Sequence, residues 1–178
     1  MSKIVVLVGS PRRNGNTEKL VEAFVKGAQS AGHQVTNFSI IDTKVNGCIA
    51  CDYCMNNEGK CVQKDGMQAI YEQLHQADTV VFASPSYYFG WSAQLKAIVD
   101  RFYAAGAKPF PITSAAMLVA LGGHAETDAA AALVSYKSII DFLQWQDKGV
   151  VIADNVMAKD DIIGNPALQK AEELGRDI

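Results

Sequence analysis

Residues 4–17 read IVVLVGSPRRNGNT, a run of apolar residues followed by a loop rich in glycine and small polar residues. The apolar part, Ile4 to Val8, predicts a strand that helices cover on both faces, because such strands lack polar alternation. The stretch that begins at Thr17 has helical spacing, and threonine is suited to the N-cap position. A strand, a loop and a helix start in this order predict an anion site built largely from backbone N–H groups.

The composition of this loop narrows the choice of ligand. The loop lacks the Gly-Lys-Ser/Thr ending of a P-loop, so ATP chemistry is not expected. Its start, Gly9-Ser10-Pro11, departs from the G-x-G-x-x-G spacing that a dinucleotide needs. A single terminal phosphate remains, as on FMN; the alternatives are an ordinary βα turn and a flavin-free module that binds another phosphate ligand. The residues predicted at the phosphate are Ser10, Arg12, Asn14, Gly15, Asn16 and Thr17.

Length and composition set wider bounds on the function. The chain has 178 residues, of which 49% are hydrophobic, and this predicts one domain over residues 1–178 with a substantial core. The formal charge of −3 and the scattered Lys and Arg residues argue against a nucleic-acid partner. No apolar run approaches the roughly 20 residues that span a bilayer, so no membrane association is expected. The N-terminal apolar run is too short for a signal peptide, and we expect a cytoplasmic protein with reduced thiols.

Apolar runs rich in β-branched residues alternate with helix-length patterns along the chain, as is typical of an α/β domain. The alternation predicts a flavodoxin-like three-layer sandwich with a five-stranded parallel sheet of order 2-1-3-4-5. The predicted strands are Lys3 to Val8, Gln34 to Ile40, Thr79 to Ser84, Ala115 to Leu121 and Gly149 to Asp154. The predicted helices are Thr17 to Ala31, with a C-terminal glycine at Gly32, Gly66 to Gln76, Ser92 to Ala104, Thr127 to Leu143 and Pro166 to Gly175.

The loops after the third and fourth predicted strands also have the composition of a ligand site. In a sheet of this order, ligands bind beyond the carboxyl ends of the strands, where the strand order reverses. Aromatic rings in the first loop can flank a planar ligand, and glycines in the second allow close backbone approach. The alternatives are a hydrophobic lid or a dimer contact for the first loop, and a solvated histidine in the second. The residues predicted at the ligand are Pro85, Ser86, Tyr87, Tyr88, Phe89, Gly90, Gly122, Gly123 and His124.

All four cysteines lie in one insertion, at about residues 47–62, with the spacing C-x2-C-x2-C-x6-C. They are Cys48, Cys51, Cys54 and Cys61. Three closely spaced thiolates followed by a fourth match what a 4Fe-4S cluster needs. A tetrathiolate zinc site and free or redox-active thiols beside a flavin remain the alternatives.

Taken together, these segments resemble the flavodoxin-like NAD(P)H-dependent FMN reductases, especially the iron-sulfur flavoprotein branch. The resemblance covers nearly the whole chain. The residues that carry it are Gly9-Ser10-Pro11-Arg12, Gly15-Asn16-Thr17, Ser84-Pro85-Ser86-Tyr87, Gln94-Leu95-Lys96, Asp100-Arg101 and Ala171-Glu172-Glu173-Leu174-Gly175-Arg176.

The resemblance implies cofactors, residue roles and partners. FMN would be held at its phosphate by the first loop, along its isoalloxazine by the aromatic loop, and at its pyrimidine side by Gly122 and Gly123. NAD(P)H would reduce the flavin, which would then reduce a small acceptor such as a quinone, an azo compound or free flavin. No side chain is an obvious catalytic acid, with His124 a weak candidate for stabilising charge on the reduced ring. A 4Fe-4S cluster on the four cysteines would imply ferredoxin-like donors. The family implies a homodimer or homotetramer.

Overall fold

Six strands and six helices make up the protein in a computed structural model that describes residues 1–178. The strands are β1 (Lys3–Val8), β2 (Gln34–Ser39), β3 (Thr79–Tyr87), β4 (Gly90–Trp91), β5 (Ser114–Ala120) and β6 (Gln146–Ala153). The helices are α1 (Asn16–Ser30), α2 (Met67–Leu74), α3 (Ala93–Asp100), α4 (Ala125–Asp128), α5 (Ala130–Leu143) and α6 (Ala167–Asp177). Two 3-10 segments cover Tyr53–Asn56 and Arg101–Gly106.

Five of the strands are parallel and lie in the order β2-β1-β3-β5-β6, which confirms the predicted flavodoxin-like topology. The sixth strand, β4, was not predicted. It pairs antiparallel with the end of β3, through Ser86 with Trp91 and Tyr87 with Gly90. The predicted aromatic loop is therefore a β-hairpin that projects beyond the sheet.

Helices cover both faces of the sheet, as the apolar strands require. One face packs against α2, α3 and α5 through residues such as Leu7 and Phe82, and the other packs against α1 and α6 through Val6 and Val81. Consecutive side chains of a strand point to opposite faces, so β1 and β3 each contribute to both cores. The three-layer arrangement leaves the carboxyl edge of the sheet free of helix packing, and the predicted loops lie there.

The helix α1 starts and ends one residue earlier than the predicted Thr17 to Ala31. The N-cap residue is Gly15, without a side-chain cap, and Thr17 is the second residue of the helix, so the predicted N-cap role of Thr17 is wrong. At the other end, Gly32 has φ +84°, and His33 N donates to Ala28 O at 3.0 Å. This is a Schellman ending, which confirms the predicted C-terminal glycine.

Of the predicted elements, only the first strand has the predicted bounds, and for three of the others the structure shows a local reason for the difference. The predicted helix from Ser92 ends at Asp100 and continues as a 3-10 segment. The predicted helix from Thr127 is divided at Ala129, because the carboxylate of Asp128 accepts a hydrogen bond from His124 N and closes a separate turn. The third strand runs on to Tyr87, since Ser84 and Pro85 keep pairing with β5.

None of the six helices combines the length and apolar character that crossing a bilayer requires.

Candidate functional site

A cavity of about 410 Å³ lies at the carboxyl ends of β1, β3 and β5. This volume falls within the range of roughly 300–1,000 Å³ that small-molecule sites occupy. Of the predicted ligand residues, Asn14, Gly90 and His124 do not line it. Those that line it are Ser10, Arg12, Gly15, Asn16, Thr17, Pro85, Ser86, Tyr87, Tyr88, Phe89, Gly122 and Gly123. The fold thus brings three separate loops to one cavity at the point where the strand order reverses.

One end of the cavity is formed by the start of α1. No side chain caps this 15-residue helix, so the backbone N–H groups of its first turn are available to an anion. Ser10 and Thr17 are 4% and 2% exposed, and both line the cavity. The Ser10 hydroxyl accepts a hydrogen bond from Arg12 N at 3.2 Å, which shapes the loop before the helix. These groups fit a phosphate of a cofactor such as FMN.

The side chain of Asn16 has a different role from the one predicted. Its Nδ2 donates to Val156 O at 3.1 Å and to Ala158 O at 2.8 Å, and its Oδ1 accepts from Ile162 N at 3.4 Å. The amide therefore joins α1 to the segment after β6 and is not left to bind phosphate. Only the backbone N–H of Asn16 remains for that purpose, which corrects the predicted role.

The β3–β4 hairpin also lines the cavity. Its two turn residues, Tyr88 and Phe89, both have left-handed backbone conformations, with φ +47° and +68°. Such turns normally contain Asn or Gly, and bulky residues there cost on the order of 1–3 kcal/mol each. Tyr88 is fully exposed, and Trp91 Nε1 anchors the hairpin by donating to Ala132 O at 3.0 Å. The strained turn places two aromatic rings at the mouth of the cavity.

The turn after β5 also lines the cavity, and little space is left for a side chain at its two glycines. A Cβ on Gly123 would lie less than 3.0 Å from the Asp128 carboxylate, and one on Gly122 would lie 2.6 Å from Met157 Cε. Sequence reasoning missed five lining residues: Ala120, Leu121, Asp128, Val156 and Met157. Ala120 and Leu121 belong to the predicted strand from Ala115 to Leu121. Asp128, Val156 and Met157 reach the cavity through tertiary packing. Of these three, only Asp128 lies close in sequence to a predicted ligand loop.

Comparison with known proteins places this cavity in a family. The family described as NADPH-dependent FMN reductase matches residues 2–155. The chain belongs to this family. The match covers the phosphate-type loop, the aromatic hairpin and the glycine turn, and so it includes nearly every part of the cavity.

Relatives of this FMN reductase family member fall into two groups. An iron-sulfur flavoprotein of Archaeoglobus fulgidus is 36% identical over 107 residues, which are 60% of this chain and 48% of that protein. A putative NAD(P)H-dependent FMN-containing oxidoreductase of Bacillus subtilis is 27% identical and covers 97% of this chain and 96% of its own length. The chain spans about half the length of the iron-sulfur flavoproteins that it matches, from 48% to 62%.

Solved structures show the same fold. The NAD(P)H:quinone oxidoreductase from Methanothermobacter marburgensis superposes with a TM-score of 0.80 at 19% identity, covering 98% of this chain and 94% of its own. An FMN-dependent NADH-azoreductase from Bacillus anthracis, in complex with FMN, superposes with a TM-score of 0.74 at 16% identity, covering 98% of both chains.

The cysteine segment of this FMN reductase family member carries four free thiols. Cys48 and Cys51 are exposed, and Cys54 and Cys61 are partly buried. Burial raises the pKa of the Cys54 thiol, and the nearby Cys61 and Cys48 thiols raise it further. No three His, Cys, Asp or Glu side chains are arranged as a metal site. The thiols are neighbours, but as placed they do not fit a metal or a cluster.

Arg101 and Asp65 hold the two ends of the cysteine segment together. Arg101 is 2% exposed, and its Nη1 donates to Asn46 O and to Asp65 Oδ2, each at 3.0 Å. Asp65 Oδ2 also accepts from Asn46 N at 2.9 Å, and Gln63 Nε2 donates to Gly47 O at 2.9 Å. The segment is therefore a loop closed at its base by a buried ion pair.

Proposed function

We propose that this protein is an FMN-dependent oxidoreductase that passes electrons from NAD(P)H to a small acceptor such as a quinone, an azo compound or free flavin. The observation that supports this most directly is the composition of the cavity. An uncapped helix start with two buried hydroxyl residues lines the same cavity as an aromatic hairpin and a glycine turn. A phosphate and a planar ring at the two ends of one ligand match this arrangement.

Residues in different parts of the cavity would bind different parts of FMN. Ser10, Thr17 and the first turn of α1 bind the phosphate, while Arg12 neutralises its charge. Tyr88 and Phe89 flank the ring, and the backbone of the glycine turn approaches its polar edge. When bound, FMN accepts a hydride and passes electrons on. A cosubstrate and an acceptor use the open mouth of the cavity in turn.

Spectroscopy under anaerobic conditions tests this function. The purified protein should bind FMN, lose its flavin absorption when NADH or NADPH is added, and regain it with a quinone or an azo compound. A protein that is colourless and takes up no added FMN would instead be a flavin-free module for another phosphate ligand. Bleaching by a reduced low-potential protein alone would mark it as an electron carrier.

We expect the substitution Thr17→Val to weaken FMN binding about tenfold, because a hydrogen bond to a charged phosphate contributes about 1.5–3 kcal/mol before relaxation. Valine has the same shape as threonine, so the fold should persist. Titration of flavin fluorescence measures the affinity. Riboflavin, which has no phosphate, should bind the variant and the wild type equally.

A matched control for this substitution is Thr36→Val, on β2 and outside the cavity. It should leave FMN affinity unchanged. Equal FMN affinity in Thr17→Val and the wild type would remove Thr17 from the phosphate site, and equal weakening of riboflavin would point to a general disturbance of the cavity.

A second candidate function is that of an iron-sulfur flavoprotein that carries electrons between ferredoxin-like donors and acceptors. The spacing C-x2-C-x2-C-x6-C and the names of several relatives favour it, whereas the arrangement of the thiols does not. Iron and acid-labile sulfide assays on anaerobically purified protein separate the possibilities. About four of each per chain would require a 4Fe-4S cluster, and zinc alone would require a tetrathiolate site. If the assays find neither an iron-sulfur cluster nor zinc, the four thiols are free.

The assembly and location of the protein belong to the same proposal. A homodimer or homotetramer would cover the exposed rings of Tyr88 and Phe89, which are costly to leave in water. Reduced thiols and flavin chemistry fit a cytoplasmic protein of one domain, in which the cysteine segment is an insertion. Sedimentation of the FMN-loaded protein measures the oligomeric state.

A further inference from the structure

Only two charged residues line the cavity, and they belong to different loops. Arg12 belongs to the loop before α1, and Asp128 lies beside the glycine turn after β5. The loop proposed to bind the phosphate thus carries the positive charge, and the turn proposed to lie at the ring carries the negative one. We infer that Asp128 lowers the reduction potential of the bound flavin, and so determines how strong a reductant the protein is. This inference rests on the proposed FMN function.

The carboxylate of Asp128 is fixed in place on several sides. Its Oδ2 accepts from His124 N at 3.0 Å, and its Oδ1 accepts from Thr127 Oγ1 at 2.8 Å. The backbone oxygen of Asp128 accepts from Ser86 Oγ at 3.2 Å, which ties the residue to the aromatic hairpin. A side chain on Gly123 would collide with the carboxylate. These hydrogen bonds hold the negative charge beside the glycine turn.

Other charged groups near this turn lie outside the lining of the cavity. They are Glu126 on α4 and Asp154 after β6, whose Oδ2 accepts from Ala125 N at 3.5 Å, and the imidazole of His124 before α4 is also outside the lining. No Lys or Arg other than Arg12 lines the cavity. Nothing in the lining at the ring end therefore offsets the charge of Asp128.

The sign of the effect follows from the charge that reduction creates. A hydride from NAD(P)H carries two electrons and one proton, so its transfer leaves NAD(P)⁺ and converts neutral oxidised flavin to a reduced flavin anion. A fixed carboxylate beside the ring repels that anion and leaves the oxidised form untouched. Asp128 should therefore weaken binding of reduced FMN relative to oxidised FMN. A lower potential makes the reduced flavin a stronger donor to its acceptor.

The substitution Asp128→Asn tests the inference, because it removes the charge and keeps the size of the side chain. Redox titration of the FMN-loaded protein against a reference dye measures the potential. We expect the ratio of the dissociation constants of reduced and oxidised FMN to fall at least tenfold, which raises the potential by about 30 mV for a two-electron couple. Asp128→Glu keeps the charge and should stay near the wild type.

Glu126→Gln is the control, since it removes one negative charge from the same short helix without touching the cavity. A change in the ratio smaller than threefold in Asp128→Asn, or an equal change in Glu126→Gln, would overturn the inference. Should the Asn variant fold poorly, Asp128→Ser provides a second neutral side chain. A wild type that binds no FMN would refute the proposed function itself, whereas an unmoved potential in a flavin-loaded variant refutes only the role of Asp128.

Discussion

Replacing Arg101 with Met should lower the free energy of unfolding by about 3–5 kcal/mol, which is the usual cost of breaking a buried ion pair by removing one partner. The side chains of Arg101 and Asp65 are 1% and 9% exposed, so Asp65 would keep its charge in a site without a cation. Methionine fills much of the space of arginine and limits the effect of a cavity. Equilibrium unfolding in urea measures the change.

The exposed ion pair between Lys137 and Asp141 provides the matched control, since its side chains are 61% and 59% exposed. Lys137→Met should cost no more than about 1 kcal/mol. The double variant Arg101→Met with Asp65→Asn should recover part of the loss, because it no longer buries an unpaired charge. Equal losses from Arg101→Met and Lys137→Met would show that the buried pair contributes no more than a surface pair.

The acid sensitivity of the protein should depend on the same pair. Burial acts to raise the pKa of Asp65, but the hydrogen bonds from Arg101 and from the backbone N–H groups of Asn46 and Met67 outweigh it, and the pKa lies below its ordinary value. The folded state therefore favours the carboxylate. The stability that this provides is fully present above the ordinary pKa and is lost as the pH falls through the lowered one.

The cysteine segment should respond to Arg101→Met before the flavin cavity does. Arg101 and Asp65 join Asn46 to the start of α2, and neither residue lines the cavity. Hydrogen exchange should accelerate over residues 47–64, whereas FMN affinity under native conditions should be retained. Whatever the four thiols bind, the closed base of the loop reduces the entropy lost on binding it.

The parts of the site that could be predicted from the sequence are those built from residues close together in the chain. The run from Ile4 to Val8, the loop after it and the next helix are adjacent in sequence, so their structures can be predicted from local patterns. The alternation of strands and helices then leaves few possible topologies for the sheet. The prediction for Asn16 failed for the opposite reason. Its hydrogen-bond partners, Val156, Ala158 and Ile162, lie about 140 residues away in sequence, and no local pattern predicts them.

The aromatic hairpin shows a different limit of sequence reasoning. The segment around Pro85 has the composition of a loop, and a turn of Tyr88 and Phe89 lacks the Asn or Gly that normally indicates a hairpin. The structure maintains the strained turn through contacts that are distant in sequence, notably the hydrogen bond from Trp91 Nε1 to Ala132 O on α5. The backbone preferences of Tyr88 and Phe89 are therefore overridden at the cavity. Departures from local preference are expected at functional sites.

Gly27→Ala should destabilise the protein by about 3 kcal/mol, even though alanine is the better helix former by about 1 kcal/mol. A Cβ at Gly27 would lie 2.7 Å from Glu172 C and closer still to Glu172 O. These are backbone atoms of α6, so no side chain can rotate away and the helices must separate. Urea unfolding measures the loss. Gly47→Ala, where a Cβ meets nothing within 4 Å, should change stability by less than about 0.5 kcal/mol.

A reciprocal contact at Gly175 also constrains the position of α1 against α6. A Cβ on Gly175 would lie 2.9 Å from Ala28 N, so each helix presents a glycine to the backbone of the other. Gly175→Ala should therefore cost as much as Gly27→Ala, and the double variant should cost less than the sum, because one separation relieves both collisions. Additive losses would contradict a single shared crossing. Because α1 begins at the phosphate end of the cavity, separation of the helices should also weaken FMN more than riboflavin.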